Sequence, residues 1–270
     1  MSSTGPITTA SVPSPSPWRT FLAVLHRDVY VTWSELPIVL SQVLLQPLFL
    51  LFVFGKVLGA LGYTRDGYED LLFPGLLGLT AVVTGMMTLA FPLVRDFGWT
   101  KEIEDRLLAP ISTSMVAVEK LVFAVTRALA ASLVMIPLGV VVLGSIPWEW
   151  RNLPLFTAMI VAGCLLGAGL GLALGTLFPA DRINIFFSLV FTPLLFTGAS
   201  QYPWPSLAPL RWFQVLTALN PMTYVSEGLR AALVPEVPHI PAWVCVVVVV
   251  GWLSVLLPVG MWGFRRRAVD

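Results

Sequence analysis

The sequence predicts an all-α polytopic membrane protein with six transmembrane helices. Three observations carry that prediction. The 270 residues are 57% hydrophobic and only 11% charged, with a mean hydropathy of +0.84, whereas a soluble domain is about half apolar and about a quarter charged. The apolar residues are gathered into runs long enough, at ~1.5 Å per helical residue, to cross a hydrocarbon core of ~30 Å. The charged residues fall between these runs, most densely from Arg95 to Lys120.

Residues 1–17 are rich in Ser, Thr and Pro and carry no charge beyond the amino terminus. Such a segment cannot bury a core and is expected to be a disordered cytoplasmic tail. It has neither the basic start nor the apolar centre of a secretory signal. In 18–36, Trp18, Leu22, Leu25, Val29, Trp33 and Leu36 recur at spacings of three and four, forming one helical stripe. Arg19, His26, Arg27 and Asp28 lie mostly off it. A basic amphipathic helix before a span suits the membrane surface, apolar side down. The alternative is a surface helix against a soluble domain, and the sequence offers no such domain.

The spans are expected at 37–58, 71–94, 121–143, 154–178, 184–199 and 243–264. Together they form a single transmembrane domain, 37–264. Lys56 can reach outward from the end of the first. Trp148 and Trp150, in the short loop before the fourth, suit the membrane interface. Cys164 and Cys245 fall inside apolar runs and read as buried small hydrophobes. The net charge of +1 carries no signal for nucleic acid.

Lysine and arginine set the orientation. With the amino terminus inside, the inner segments hold Arg19, Arg27, Arg95, Lys101, Arg106, Lys120, Arg182 and Arg265–Arg267, against Arg65, Arg151, Arg211 and Arg230 outside. Both termini and the 95–119 segment are therefore expected in the cytoplasm, in a multi-pass protein of the cell membrane, here a bacterial inner membrane. Arg265–Arg267, which begin a basic tail to residue 270, read as an anchor for the last helix.

Two features depart from a plain six-span pattern. Residues 201–241 are too long and too mixed for a simple loop. They read as two short helices, 207–219 and 222–233, broken at Asn220-Pro221. Such a pair can dip back into the outer leaflet where protein covers the irregular backbone. The other feature is Gly163, Gly167, Gly171 and Gly175, which recur every four residues on one face of the fourth span. Small residues at that spacing allow close backbone contact, either within one subunit or against a second.

The sequence lacks a phosphate-cradling Gly-x-x-x-x-Gly-Lys-Ser/Thr loop, a His-Glu-x-x-His pair, a Gly-x-Ser-x-Gly elbow and a Cys/His cluster. No catalytic, cofactor-binding or metal-binding residues are therefore expected. Ionisable residues near the hydrocarbon core are the functional candidates instead. Arg127 can pair with Asp96 or Asp181 and hold an inner gate, or snorkel to the surface. Glu227 and Arg230, three apart, share a helix face and either pair or stand as a solvated couple. Phe187, Phe191 and Phe196 on the fifth span either line a substrate path or pack against neighbouring helices.

Three stretches resemble the membrane subunits of ABC (ATP-binding cassette) exporters of the type-2 permease family, which includes drug, polysaccharide and lipo-oligosaccharide exporters. Leu219, Asn220, Pro221, Met222, Thr223 and Tyr224, with Glu227, Leu229 and Arg230, resemble the family's Asn-Pro motif before the last span. Phe196, Thr197, Gly198, Tyr202 and Pro203 resemble its segment at the end of the fifth. Glu104, Leu107, Leu108, Ala109, Pro110, Ile111 and Ser112 resemble its cytoplasmic Glu-x-x-Leu-Leu-x-x-Pro-Val-Ser region, one residue shorter here. The sequence also departs from the family. Asp96 stands where Glu is frequent, Trp99 separates Gly98 from Thr100, Lys101–Asp105 lengthens the segment, and Thr197 stands where Ser is common.

The resemblance implies a permease without its own ATPase site. Two copies of an ABC ATPase would bind below and carry the ATP and Mg. A second permease, identical or homologous, would face this one within the membrane lipid. Glu102, Glu104, Asp105, Arg106, Leu107, Leu108 and Pro110 would form a cytoplasmic coupling helix, and the pair around Asn220 would cap the outer exit. Spans without internal charge make no evident aqueous pore, so an amphipathic substrate fits better than an ion. The competing readings are an integral membrane enzyme acting on lipid-linked substrates, with Asp96, Glu102, Glu104 and Asp105 around a metal, and a non-transporting membrane scaffold.

Overall fold

The computed structural model describes residues 44–64, 67–98, 112–146, 148 and 150–268. The expected tail, the interfacial helix 18–36, the start of the first span and the coupling residues 99–111 lie outside the described residues. Among those described, all regular structure is helical.

Helix α1 (Leu44–Ala60) is apolar, with a wider π-type winding over Leu51–Val57. Helix α2 (Tyr68–Gly98) has Glu69 and Asp70 in its first turn and Arg95 in its last, complementing the helix dipole. Helix α3 (Thr113–Leu143) is capped by Ser112, whose Oγ accepts from the Met115 N–H. It stops at Gly144, whose φ of 88° excludes most L-residues. A 3-10 turn, Trp150–Asn152, leads into α4 (Leu153–Leu177), and another, Ala180–Arg182, leads into α5 (Ile183–Thr197). Then come α6 (Arg211–Ala218), α7 (Pro221–Leu233) and α8 (Ala242–Arg267).

Five helices, α2, α3, α4, α5 and α8, with the turns that lead into α4 and α5, are long and apolar enough to cross a membrane. The expected ends of the second to sixth spans agree with these to within a few residues, except that α3 begins at Thr113 rather than at 121. The predicted break at Asn220-Pro221 is present, although α6 begins at Arg211 rather than at 207.

Helix α2 is the centre of the molecule. Leu72, Phe73, Leu76, Leu77, Val82, Met86 and Leu93 are buried along its length. Three threonines are buried with them. Thr80, Thr84 and Thr88 donate to the carbonyls of Leu76, Thr80 and Thr84 at 2.9, 2.6 and 2.7 Å, so each hydroxyl is satisfied within the helix.

The glycine stripe of α4 packs against α2. A methyl group on Gly167 would overlap the Val82 carbonyl, and one on Gly171 would meet the Met86 carbonyl oxygen at 2.5 Å. One on Gly175 would lie 2.8 Å from Leu93 Cβ, and one on Gly163 would lie 2.9 Å from Val225 of α7. Of the two roles open in the sequence, the stripe takes the one within the subunit. The dimer-contact role has no free face left at these positions. Without water to drive apolar side chains together, close backbone approach supplies the van der Waals contact that joins the two helices.

Helices α3, α5 and α8 lie at the periphery and present Leu133, Val141, Ile185, Leu189, Val247, Val250 and Val255 outward. Cys164 and Cys245 are buried free thiols, as their apolar setting predicts.

Candidate functional site

The two ends of the bundle differ in chemistry. At one end, α2 and α8 finish together. Phe97 and Phe264 meet edge to face at 5.3 Å, and Arg265 Nε donates to Ser114 Oγ at 2.9 Å. We refer to it as the basic end. At the other end lie the start of α2, the end of α5 and the α6–α7 pair, referred to here as the far end. There Lys56 Nζ donates to the Leu143 carbonyl at 3.0 Å. It closes the carboxyl end of α3 rather than only reaching into solvent.

The far end is built around Glu227 and Arg230 on α7. Both side chains are 0% exposed, and Arg230 Nη1 donates to Glu227 Oε1. The solvated alternative is therefore excluded. Glu227 Oε1 also accepts from the Trp204 N–H and Oε2 from the Ile240 N–H, each at 2.9 Å. Arg230 Nε and Nη2 donate to the Leu71 carbonyl at 3.2 Å, and Nη2 donates to the Ala199 carbonyl at 3.0 Å. Ala199 has a φ of 51°, so its carbonyl is offered from a strained, left-handed turn. A buried charge pair is tolerable only when its remaining donors and acceptors are filled. Here they are filled by main-chain groups from four other segments. Trp204, Ile240, Leu71 and Ala199 carry no sequence signal for this role, because they contribute only backbone.

A second set of bonds holds the α6–α7 break. Asn220 Oδ1 accepts from the Met222 N–H at 2.9 Å and caps α7. Its Nδ2 donates to the Pro193 carbonyl at 3.2 Å and to Thr197 Oγ1 at 3.0 Å. Thr197 in turn donates to the Pro193 carbonyl at 2.9 Å. Thr223 Oγ1 lies 2.6 Å from the Thr217 carbonyl and 3.1 Å from that of Thr197. Tyr224 OH donates to the Ala218 carbonyl at 2.8 Å. The two sequence motifs on α5 and α7 are thus one bonded unit, and the hydroxyl at Thr197 is the group that joins them. Tyr202 OH donates to the Phe196 carbonyl at 2.6 Å, and burial pushes its phenol up to about 12.

Beside this unit, an apolar groove of about 290 Å³ lies between α5 and α8. Leu170, Leu189, Leu194, Leu216, Leu219 and Trp252 line it, and Thr197 and Asn220 are its polar residues. Phe196 is exposed, whereas Phe187 is in the core. Its ring lies 4.7 Å from Phe91 and 5.6 Å from Phe191, with only 7% of the residue exposed. Phe187 thus packs against neighbouring helices, the other of the two roles open to it in the sequence.

At the basic end, Lys120 Nζ lies 2.9 Å from Asp96 Oδ2, with Asp96 4% and Lys120 8% exposed. Arg95 Nε lies 3.9 Å from the other Asp96 oxygen. The Asp96 carboxylate is thus held by Lys120, a partner that the sequence reading did not assign to it. Asp181 faces Arg182 at 3.6 Å on the surface. Arg127 is half-buried further along α3. The coupling candidates Glu102, Glu104, Asp105, Arg106, Leu107, Leu108 and Pro110 lie outside the described residues, between the two helices that Asp96 and Lys120 join. No group of three or more His, Cys, Asp or Glu that could hold a metal occurs among the described residues.

Residues 19–234 match a family described as ABC-2 type transporter. A putative transport permease, ycf38, of Cyanophora paradoxa is 29% identical over 227 residues, covering 77% of this chain and 72% of that protein. The protein of the same description from Pyropia yezoensis is 27% identical, with the same coverage of each chain. Nodulation protein J of Neorhizobium galegae is 24% identical over 262 residues, covering 94% of this chain and 95% of its own.

Proposed function

Because the chain belongs to the ABC-2 type transporter family, we propose that it is the permease subunit of an ATP-driven exporter. It moves an amphipathic substrate (lipid-like, glycolipid or drug-like) out of the cytoplasm or the inner leaflet. ATP and Mg act on a separate ATPase, two copies of which serve a pair of permeases. The short α1 belongs to a sixth span, and the basic end faces the cytoplasm.

The observation that carries the choice of substrate is the apolar groove. It is lined by side chains of α4, α5, α6 and α8 and holds no charged residue in its lining. An ion or a strongly hydrated solute would lose its hydration there without replacement, at a cost of several kcal/mol (~2–7 for a neutral polar group). An amphipathic molecule keeps its apolar part in the groove and its polar part at the interface. The same pattern disfavours the membrane-enzyme reading, which needs polar chemistry beside the apolar part of its substrate. The α6–α7 pair caps the groove at its outer end, with Asn220, Pro221 and Tyr224 holding its break.

In this mechanism the 95–119 segment receives the movement of the ATPase and passes it into α2 and α3. The test is co-purification in nanodiscs. The tagged chain is expected to bring down an ATPase whose hydrolysis changes with amphipathic substrates. Combined charge reversal, Glu102→Lys with Glu104→Lys, is expected to reduce that association or stimulation while membrane insertion persists. Unchanged transport in the double variant would remove the coupling assignment, and purification without any ATPase under gentle conditions would count against the exporter reading.

A further inference from the structure

The carboxyl ends of α4 and α8 enclose a cleft of about 440 Å³ at the basic end. Leu177, Phe178 and Pro179 form one wall and Trp262 the other, with Arg266 and Arg267 beside it. The helices meet closely here because residue 263 is glycine. A methyl group at Gly263 would meet Thr176 Oγ1 at 2.6 Å.

Arg267 is turned back onto α4. Its Nη1 donates to the carbonyls of Gly175 at 3.0 Å and Phe178 at 2.9 Å, groups at a helix end that needs outside donors. Its Cζ sits 5.2 Å over the Phe97 ring. The guanidinium is thus fixed on two sides, and among the described residues Nε and Nη2 have no acceptor. Arg267 also balances the negative end of the α4 dipole. Arg266 is exposed, its Cζ 5.5 Å from the Trp262 ring. Among the described residues, no carboxylate pairs with either arginine. The acidic residue on the turn after Pro179, Asp181, is taken by Arg182.

A fixed guanidinium, a second one with no carboxylate partner among the described residues, an aromatic ring of the kind found at membrane interfaces and an apolar wall together suit one ligand chemistry. It is a phosphodiester of net negative charge attached to hydrocarbon. The exposed Val255 and Val259 on α8 continue the apolar surface away from the cleft. We propose that this cleft binds the headgroup phosphate of an anionic phospholipid, with Arg266 and Arg267 as donors and an acyl chain lying along α8. A zwitterionic headgroup would bring its own cation against the two arginines and bind less well.

The test uses the purified permease alone in neutral detergent, so its outcome does not depend on the exporter reading. Lipid adducts are counted by native mass spectrometry after titration with phosphatidylglycerol, phosphatidylcholine and sn-glycerol 3-phosphate. Phosphatidylglycerol is expected to be retained in preference to phosphatidylcholine, and sn-glycerol 3-phosphate to displace it poorly. Arg266→Gln is expected to weaken phosphatidylglycerol binding roughly fivefold, with an unchanged melting temperature, since Arg266 makes no helix cap. Arg182→Gln, on the neighbouring turn, is expected to leave binding as it was. Equal retention of the two lipids, or an Arg266→Gln variant that binds normally, would overturn the site. So would an Arg182→Gln variant that loses as much. Ready displacement by sn-glycerol 3-phosphate would overturn the lipid assignment in favour of a soluble phosphate.

Discussion

Glu227 and Arg230 pair one helical turn apart on α7 with neither side chain exposed to solvent. Between them they bond to main-chain groups of Leu71, Ala199, Trp204 and Ile240, so one couple ties α7 to the start of α2 and to the segments that flank α6 and α8. Removing one partner strands the other charge in the core, which costs about 3–5 kcal/mol, against about 0–1 for an exposed pair. Glu227→Ala is therefore expected to lower the melting temperature in detergent sharply and to reduce the folded yield. The double variant Glu227→Ala with Arg230→Ala should lose less than twice as much, because no lone charge remains. A single variant that melts like the parent would show that the couple does not hold the cap.

Asn220 and Thr197 act together across the α5–α7 contact. Asn220→Ala loses the α7 cap and both donor bonds, an expected cost of about 1–2 kcal/mol. Thr197→Ser keeps the hydroxyl and should behave as the parent, whereas Thr197→Val keeps the shape but loses the acceptor. Thermal melts of the three variants should rank Thr197→Ser above Thr197→Val, with Asn220→Ala lowest. Equal melts for Ser and Val at position 197 would mean that the shared hydroxyl contributes nothing.

The α2–α4 contact leaves no room at Gly167, whereas Gly251 on α8 has no heavy atom within 4 Å of an added methyl group. Gly167→Ala forces two helix backbones apart and is expected to cost about 1–3 kcal/mol or more. Gly251→Ala fills open space in a helix and is expected to be neutral or to gain up to about 1 kcal/mol. Folded fraction by size-exclusion chromatography of detergent extracts separates the two outcomes. Equal behaviour of the pair would show that close packing is not what joins α2 to α4.

The five helices long enough to span and the Asn220-Pro221 break were legible because hydropathy and proline are local signals. Burial at the far end was not. Glu227 and Arg230 sit in a stretch with enough polar residues to read as solvated, and their partners are backbone groups up to 159 residues away. The glycine stripe was visible on α4, but the helix it meets was not, because Val82 and Met86 offer only carbonyls and carry no matching motif. Arg267 read as a terminal anchor; that it caps α4 depends on the close approach at Gly263. For Asp96, the sequence offered Arg127 as a partner by depth in the membrane. Lys120 wins because it lies at the start of α3, level with the last turn of α2.

That Asp96–Lys120 pair joins α2 and α3 where they flank the 99–111 segment, so it is placed to keep the two helix ends moving together. Asp96→Asn is expected to leave Lys120 buried without its counter-charge, and Lys120→Met to leave Asp96 with only the longer contact to Arg95. Each should destabilise the permease by a few kcal/mol, about 3 where burial is complete and less here. Exchanging the charges, Asp96→Lys with Lys120→Asp, should recover part of the melting temperature, because the pair is re-formed in reverse. The exchange sets a new cation beside Arg95, so recovery should be incomplete. If the pair also transmits motion, the exchanged variant should regain substrate-stimulated ATPase activity in step with its stability. Recovery of stability without that activity would confine the pair to a structural role.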